Sequence, residues 1–249
     1  MAGHSKWANI KHRKAAQDKK RGKAFSQISK AIMAAVKNGG PKPEDNIPLR
    51  LQLDKARAAN MPKDTVDRAI KRASGEAGGD QIQELTYEGY GPGGVGIVVQ
   101  TITDNVNRTS SEVRSTIEKR GGSMGKPGSV SWNFEQKAVY TVAADGVDEE
   151  ALMEVALDAG GDDIENDSGM FTVSGPPNVF ATLGKALSEA DYKVDSADVT
   201  FIPKERIMLE AADARKMINI IEAIEDLDDV QSAITNADIP DEVLAELDA

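Results

Sequence analysis

An α+β fold of three domains is what this 249-residue sequence predicts: an all-helical N-terminal bundle, then two α/β sandwich domains, one inserted in the other. Three observations carry the prediction. Residues 25–73 repeat apolar side chains at three- and four-residue spacing, the segment after residue 80 changes to short β-branched runs alternating with helical ones, and two β-α-β units flank a complete β-α-β-β-α-β order. The expected domains are residues 1–75, residues 80–135 together with 204–249, and residues 136–203.

Each element has its own warrant. In AFSQISKAIMAAVKNGGP, Phe25, Ile28, Ile32 and Val36 share one helical face, and Asn38, Gly39, Gly40 and Pro41 stop the helix. A second helix begins near Pro48 and uses Leu49, Leu53 and Ala56 before ending about Asn60. A third starts after Pro62 and uses Val66, Ala69, Ile70 and Ala73 before Gly75. The segment before Phe25 has too few apolar residues to pack alone, and is expected to order when a partner neutralises it.

Beyond the GEAGGD linker, ELTYEGY and VGIVVQTIT flank GPGG and read as a hairpin. Gly91, Gly93 and Gly96 spell a formal G-x-G-x-x-G. A dinucleotide site needs that motif to open a helix, whereas here it opens a strand, so it is turn chemistry. Strands are expected at 95–102, 129–135, 205–210 and 229–235, with helices at 106–120 and 211–226. Between these halves, AVYTVA, a helix at 147–159, DDIEN, MFTVSG, a helix at 177–190 and KVDSADVTFI repeat the split order of a ferredoxin-like sandwich.

Charge is segregated along the chain. The net charge is −11, yet residues 1–75 hold 18 Lys and Arg against 6 Asp and Glu, while the remainder holds 12 against 35. Such asymmetry points to a polyanion-binding end and an acidic remainder that repels nucleic acid. The run MAGHSKWANIKHRKAAQDKKRGK concentrates it, with Lys6, Lys11, Arg13, Lys14, Lys19, Lys20, Arg21 and Lys23 against Asp18 alone. Trp7 sits among these cations, where an indole stacks on a base or anchors the tail to the bundle. His4 and His12 are expected to contact phosphate or water, because no cysteine and no carboxylate pair accompanies them.

Other function classes lose ground. The absence of cysteine removes disulfides, thiolate metal sites and cysteine nucleophiles, and fits a reducing cytoplasm. No apolar run approaches a membrane span, and a transit peptide is the competing reading of the basic start. No nucleophile elbow, phosphate-cradling loop or zinc-protease pair occurs, so no enzyme and no cofactor are expected. DDIENDSG at 162–169 has its glycine and glutamate misplaced for a calcium loop and reads as an exposed turn, and the aspartates near Leu227 and Val230 as a solvated face.

The stretches MAGHSKWANIKHRKAAQDKKRGKAFSQISKAI, NMPKDTVDRAIKR, YEGYGPGGVG, TDNVNRT and GGSMGKPGSVSWNF closely resemble the YebC family, whose mitochondrial members are translational activators of cytochrome c oxidase subunit I. The resemblance covers essentially the whole chain. It implies a non-enzymatic cytoplasmic regulator, described in the family both as a DNA-binding transcriptional regulator and as a ribosome-associated translation factor. By resemblance the nucleic-acid contacts are Lys6, Trp7, Lys11, His12, Arg13, Lys14, Lys19, Lys20, Arg21 and Lys23, with Arg68 and Arg72 on the third helix and Arg108 at a helix start. The expected partners are ribosomal RNA or DNA and the ribosome; in the alternative reading the chain is chiefly a protein-interaction adaptor, with its acidic α/β domains as the binding surfaces and the basic tail serving to concentrate it near nucleic acid. Few side chains suited to bidentate base reading flank the cations and no dimerising stripe is present, which favours RNA and a monomer.

Overall fold

The computed structural model describes residues 21–75, 82–167 and 169–247. Within them, residues 21–131 with 215–235 form one compact unit and residues 132–214 with 236–247 a second.

The first unit opens with three helices, α1 (Arg21–Gly39), α2 (Ile47–Ala58) and α3 (Lys63–Ala73). Ile32 and Val36 of α1, Leu49 and Ala56 of α2 and Ala69 of α3 are buried together, and Phe25, Ile28, Leu53, Val66 and Ile70 pack around them. The apolar spacing in the sequence is thus the inner seam of the bundle. One buried side chain makes the α1–α2 corner: Asn46 accepts from the Leu49 amide at 3.0 Å and donates to the Ala35 and Gly40 carbonyls at 2.7 and 2.8 Å. A single residue therefore caps one helix while satisfying the end of the other.

The first sheet is built on the expected hairpin. β1 (Gln83–Tyr90) and β2 (Gly96–Thr103) pair antiparallel, with Tyr90 opposite Gly96. Gly93 and Gly94 take φ of 72° and 77° in the tip, a conformation that excludes most side chains. α4 (Val106–Glu118) follows, then the two-residue strand β3 (Ser123–Met124) on the outer edge of β1. The opposite edge is β9 (Val230–Thr235), which arrives after α7 (Ala211–Glu225) and gives the order β3-β1-β2-β9.

Two expected strands do not join this sheet. Within 129–135, residues 131–133 form a single 3-10 turn and Phe134 already belongs to the second sheet. Within 205–210, only Ile207–Met208 (β8) is extended, and it pairs in parallel with Ala237–Asp238 (β10) as a separate ribbon. The physical reason is β1. Its hairpin places it beside β2, the position a later strand would need, and the glycine-rich stretch after β3 has its amides engaged by a side chain rather than a ladder.

The inserted sandwich follows the sequence reading closely. β4 (Phe134–Ala143), α5 (Glu149–Asp158), β5 (Asp163–Asp167), β6 (Met170–Gly175), α6 (Phe180–Glu189) and β7 (Val194–Pro203) give an all-antiparallel sheet of order β5-β6-β4-β7. With β4 and β6 at the centre and β5 and β7 at the edges, this is the ferredoxin-like arrangement. Leu152, Ala156, Leu183 and Leu187 of the two helices are buried, as are Ala138, Tyr140, Val142 and Val173 of the strands. Tyr140 lies 5.0 Å from the Phe180 ring and donates its hydroxyl to the Phe180 carbonyl, so its polar tip is satisfied inside the core. The segment expected as an exposed turn at 162–169 is therefore mostly strand, since Asp163–Asp167 pairs with β6 along its length. A last helix, α8 (Asp241–Leu247), follows β10. Among the described residues no helix is long and apolar enough to cross a membrane.

Candidate nucleic-acid interface

The helical bundle turns its apolar stripes inward and leaves part of its cations on the outside. Residues 21–75 hold 12 basic against 5 acidic residues. On α3, Ala69 is buried and Val66, Ile70 and Ala73 pack inward, which leaves Arg68, Lys71 and Arg72 on the outer side of the helix. The Arg68 guanidinium donates to the Asp64 carbonyl at 3.0 Å and the Thr65 hydroxyl at 3.2 Å, both neutral acceptors, so its positive charge is left outward. Arg72 lies one turn further on the same face.

Lys6, Trp7, Lys11, His12, Arg13, Lys14, Lys19 and Lys20 lie outside the described residues, and Arg21 opens α1. Lys23 belongs to α1 and behaves differently from an outward cation. Its Nζ sits 2.9 Å from Asp226 Oδ1 and its side chain is 16% exposed. One and two turns later on that face, Gln27 donates to the Val230 carbonyl at 2.7 Å, and Lys30 reaches the Asp228 carbonyl at 2.9 Å and Asp229 Oδ1 at 2.5 Å. Lys23, Gln27 and Lys30 thus dock α1 on the turn that leads from α7 into β9.

Arg108 is drawn into the same junction. Its Nη2 lies 2.8 Å from Asp229 Oδ2 and 2.8 Å from Asp104 Oδ1, and its backbone amide is capped by Asn105 at 3.1 Å. Asp229 also accepts from the Thr109 hydroxyl at 2.6 Å and from Thr103 at 3.2 Å. Burial alone would raise the Asp229 carboxyl; hydrogen bonds from Lys30, Thr109 and Arg108 outweigh it and hold the group at about 2. The hydrogen bonds to Asp229 and Asp104 raise the Arg108 pKa in turn. Asp229, 1% exposed, is therefore an interior anchor, where the sequence suggested a solvated face. Asp226, with a side chain 85% exposed, does face solvent.

A second buried carboxylate was equally hidden in the sequence. Glu88 on β1 accepts from the Gly128 amide at 2.7 Å, the Val130 amide at 2.7 Å and the Ser131 amide at 3.0 Å. Burial pushes its carboxyl up, and the three amides more than reverse that, so its pKa falls. Gly125 donates to the Glu88 carbonyl at 2.8 Å and Tyr90 donates to the Ser129 carbonyl at 2.9 Å. The motifs YEGYGPGG and GGSMGKPGS are thus two sides of one fastening. The glutamate directly before Gly89 in YEGYGPGG was the available signal.

This architecture has known counterparts. Residues 5–76 match the TACO1/YebC protein N-terminal domain, and residues 82–237 match the TACO1/YebC second and third domain. A probable transcriptional regulatory protein of Pseudomonas paraeruginosa is 50% identical over 248 residues, covering 99% of this chain and 100% of its own. The transcriptional regulatory protein PmpR of Pseudomonas aeruginosa is likewise 50% identical over 248 residues, with the same shares covered. A crystal structure of a conserved hypothetical protein from Aquifex aeolicus superposes with a TM-score of 0.82 at 39% identity, over 90% of this chain and 92% of that one. From its first helix to its last strand pair, the chain belongs to the TACO1/YebC family.

Proposed function

We propose that this protein is a non-enzymatic regulator of gene expression that binds nucleic acid through its basic N-terminal domain and works as a ribosome-associated translation factor in the cytoplasm. The observation that carries the reading is charge segregation: 18 basic against 6 acidic residues in positions 1–75, in a chain whose net charge is −11. Lysine and arginine side chains there release counterions from phosphates, and the acidic α/β domains keep that contact local. Arg68 and Arg72, on one exposed face of α3, extend the surface beyond the N-terminal run. The cations are densest on a segment with few side chains suited to bidentate base reading, which suits shape-and-phosphate recognition of structured RNA over reading of base edges.

A transcriptional reading is favoured by a different observation, the names carried by the Pseudomonas relatives. Sucrose-gradient sedimentation at physiological salt separates the two. The full-length protein is expected to travel with ribosomes, removal of residues 1–23 is expected to abolish this, and duplex DNA is expected to be bound with weak sequence preference. Strong preference for one duplex sequence without ribosomal co-sedimentation would replace the translational reading with the transcriptional one.

A further inference from the structure

From Lys119 to Phe134 the chain carries three basic residues and no acidic one, inside a segment, 76–249, that holds 12 basic against 35 acidic residues. Lys119, Arg120 and Lys126 are all exposed. They stand at the β3 edge of the first α/β domain, where the chain leaves α4, passes through β3 and returns alongside β1.

The backbone under these cations is held at several points. β3 pairs with Gly89 and Tyr90 of β1, Gly125 and Ser129 are hydrogen-bonded to Glu88 and Tyr90, and the Glu88 carboxylate gathers three amide donors from residues 128–131. Glu88 is itself only 7% exposed, so the carboxylate beneath this surface is turned inward and its charge is met by amides. At Gly121 and Gly128, φ is +87° and +85°, and an added Cβ would meet nothing within 4 Å. No side chain at either position stands between the backbone and an approaching partner.

We propose that this edge, with Lys119, Arg120 and Lys126 as its cations, is a second contact surface for the phosphodiester backbone of RNA, separate from the N-terminal domain. The inference rests on the nucleic-acid reading above and places a further anchor for the same ligand. A fastened loop presents its charges with little ordering cost, and bare glycine backbone admits a polyanion closely. The surface offers cations without paired amide side chains for base edges, so it grips without regard to sequence. An acidic protein segment is the competing occupant.

The test compares four full-length forms: wild type, the triple substitution K119Q/R120Q/K126Q, K126Q alone, and a tail variant K19A/K20A/R21A. Binding to a short RNA duplex is measured across a salt series, with thermal melts confirming that each variant keeps the fold intact. The triple variant is expected to weaken binding at low salt and to flatten the log–log salt slope by about 2 to 3, at about 0.9 for each phosphate left without its cation; K126Q alone should flatten it by about 1. A triple variant with the wild-type slope, while the tail variant has a flatter one, overturns this inference and leaves the nucleic-acid reading standing. A wild-type protein that does not bind RNA overturns both. Weaker binding of the triple variant to an acidic peptide, with RNA binding unchanged, would overturn the RNA assignment and give the edge to a protein partner.

Discussion

Arg108 and Asp229 lie 121 residues apart in sequence and 2.8 Å apart in space, the guanidinium closing on both carboxylate oxygens. Lys30 brings a second cation to the same carboxylate from the helical bundle, and Thr103 and Thr109 fill its remaining acceptor positions. The junction between bundle and first sheet is thereby tied by a charge cluster whose central member is 1% exposed. A cluster so placed behaves asymmetrically, because the carboxylate is buried while the Arg108 side chain keeps 42% exposure, so each member removed leaves its partners in a different environment.

Asp229→Ala is therefore expected to cost about 3 kcal/mol, the range seen when a buried pair loses one member. At roughly 2 to 4 °C per kcal/mol for a chain of this size, the melting temperature should fall by about 6 to 12 °C. Arg108→Ala should cost less, since Lys30 still neutralises the carboxylate. Thermal denaturation of both variants and of the double variant measures the coupling; additive losses would show that the two residues act separately.

Acid stability follows from the same group, with the sign fixed by the direction of its shift. The Asp229 pKa is about 2 in the folded chain against an ordinary 3.8. A depressed carboxylate stabilises the fold above the unfolded value and loses that contribution as pH falls through the folded one. On the order of 2 kcal/mol should disappear between about pH 4 and pH 2. Asp229→Asn should show a shallower acid limb in a pH series of melts.

Glu88 makes a different demand, because its partners are amides rather than charges. Glu88→Ala leaves the Gly128, Val130 and Ser131 amides without their acceptor. Buried unsatisfied donors cost about 1 to 3 kcal/mol, and here the effect should appear as local opening. Hydrogen exchange is expected to rise by about one to two decades at those three amides with little change in β4. Unchanged protection would mean that water or another acceptor replaces the carboxylate.

The legibility of these features follows from what produces them. The three helices and the inserted sandwich are readable because local pattern and tertiary packing agree: Ile32, Val36 and Leu49 repeat at helical spacing and are buried for that reason. β1 is readable as a hairpin arm, but its place as a central strand is not. That place depends on an edge strand of two residues, Ser123–Met124, too short to leave a periodic signal. Asp229 reads as solvated because DLDD is an acidic run like any exposed surface, and only the fold brings Lys30 and Arg108 to it. The N-terminal cations are legible by composition alone, which is also why their geometry is not.

The docking of α1 sharpens the expectation for salt dependence. If roughly five phosphates are contacted, log affinity should fall with log salt at a slope of about −3.5 on single strands and about −4.5 on duplex DNA. Replacing Lys19, Lys20 and Arg21 by alanine should flatten that slope by about 2 on single strands. Lys23→Ala should not, because its ammonium is already 2.9 Å from Asp226; it should instead lower thermal stability slightly, as an ion pair with one exposed member does. A Lys23→Ala slope as flat as that of the triple variant would show that the Asp226 pair opens on binding.

The inserted sandwich is proposed to be an autonomous folding unit. Among the described residues its four strands pair only with one another, β4 beside β6 and β7, and β5 beyond β6. The polar tip of its core residue Tyr140 is satisfied by Phe180 from the same segment. Residues 132–203 expressed alone should therefore give native-like circular dichroism and one cooperative melt. Residues 80–135 are in the opposite position. Their central strand β2 pairs with β9 from Ile97 to Thr101, and Thr235 donates its hydroxyl to the Gly96 carbonyl at 2.8 Å, contacts that arrive only after residue 229. Without β9 one edge of β2 is bared, and three strands with a single helix cannot exclude water from both faces of a strand whose Val98 and Val99 are fully buried in the whole chain. That fragment should show no sigmoidal melt and should bind a hydrophobic dye. Cooperative unfolding of residues 80–135 would mean that the hairpin and α4 suffice as a core, and the inserted arrangement would then no longer govern how the chain folds.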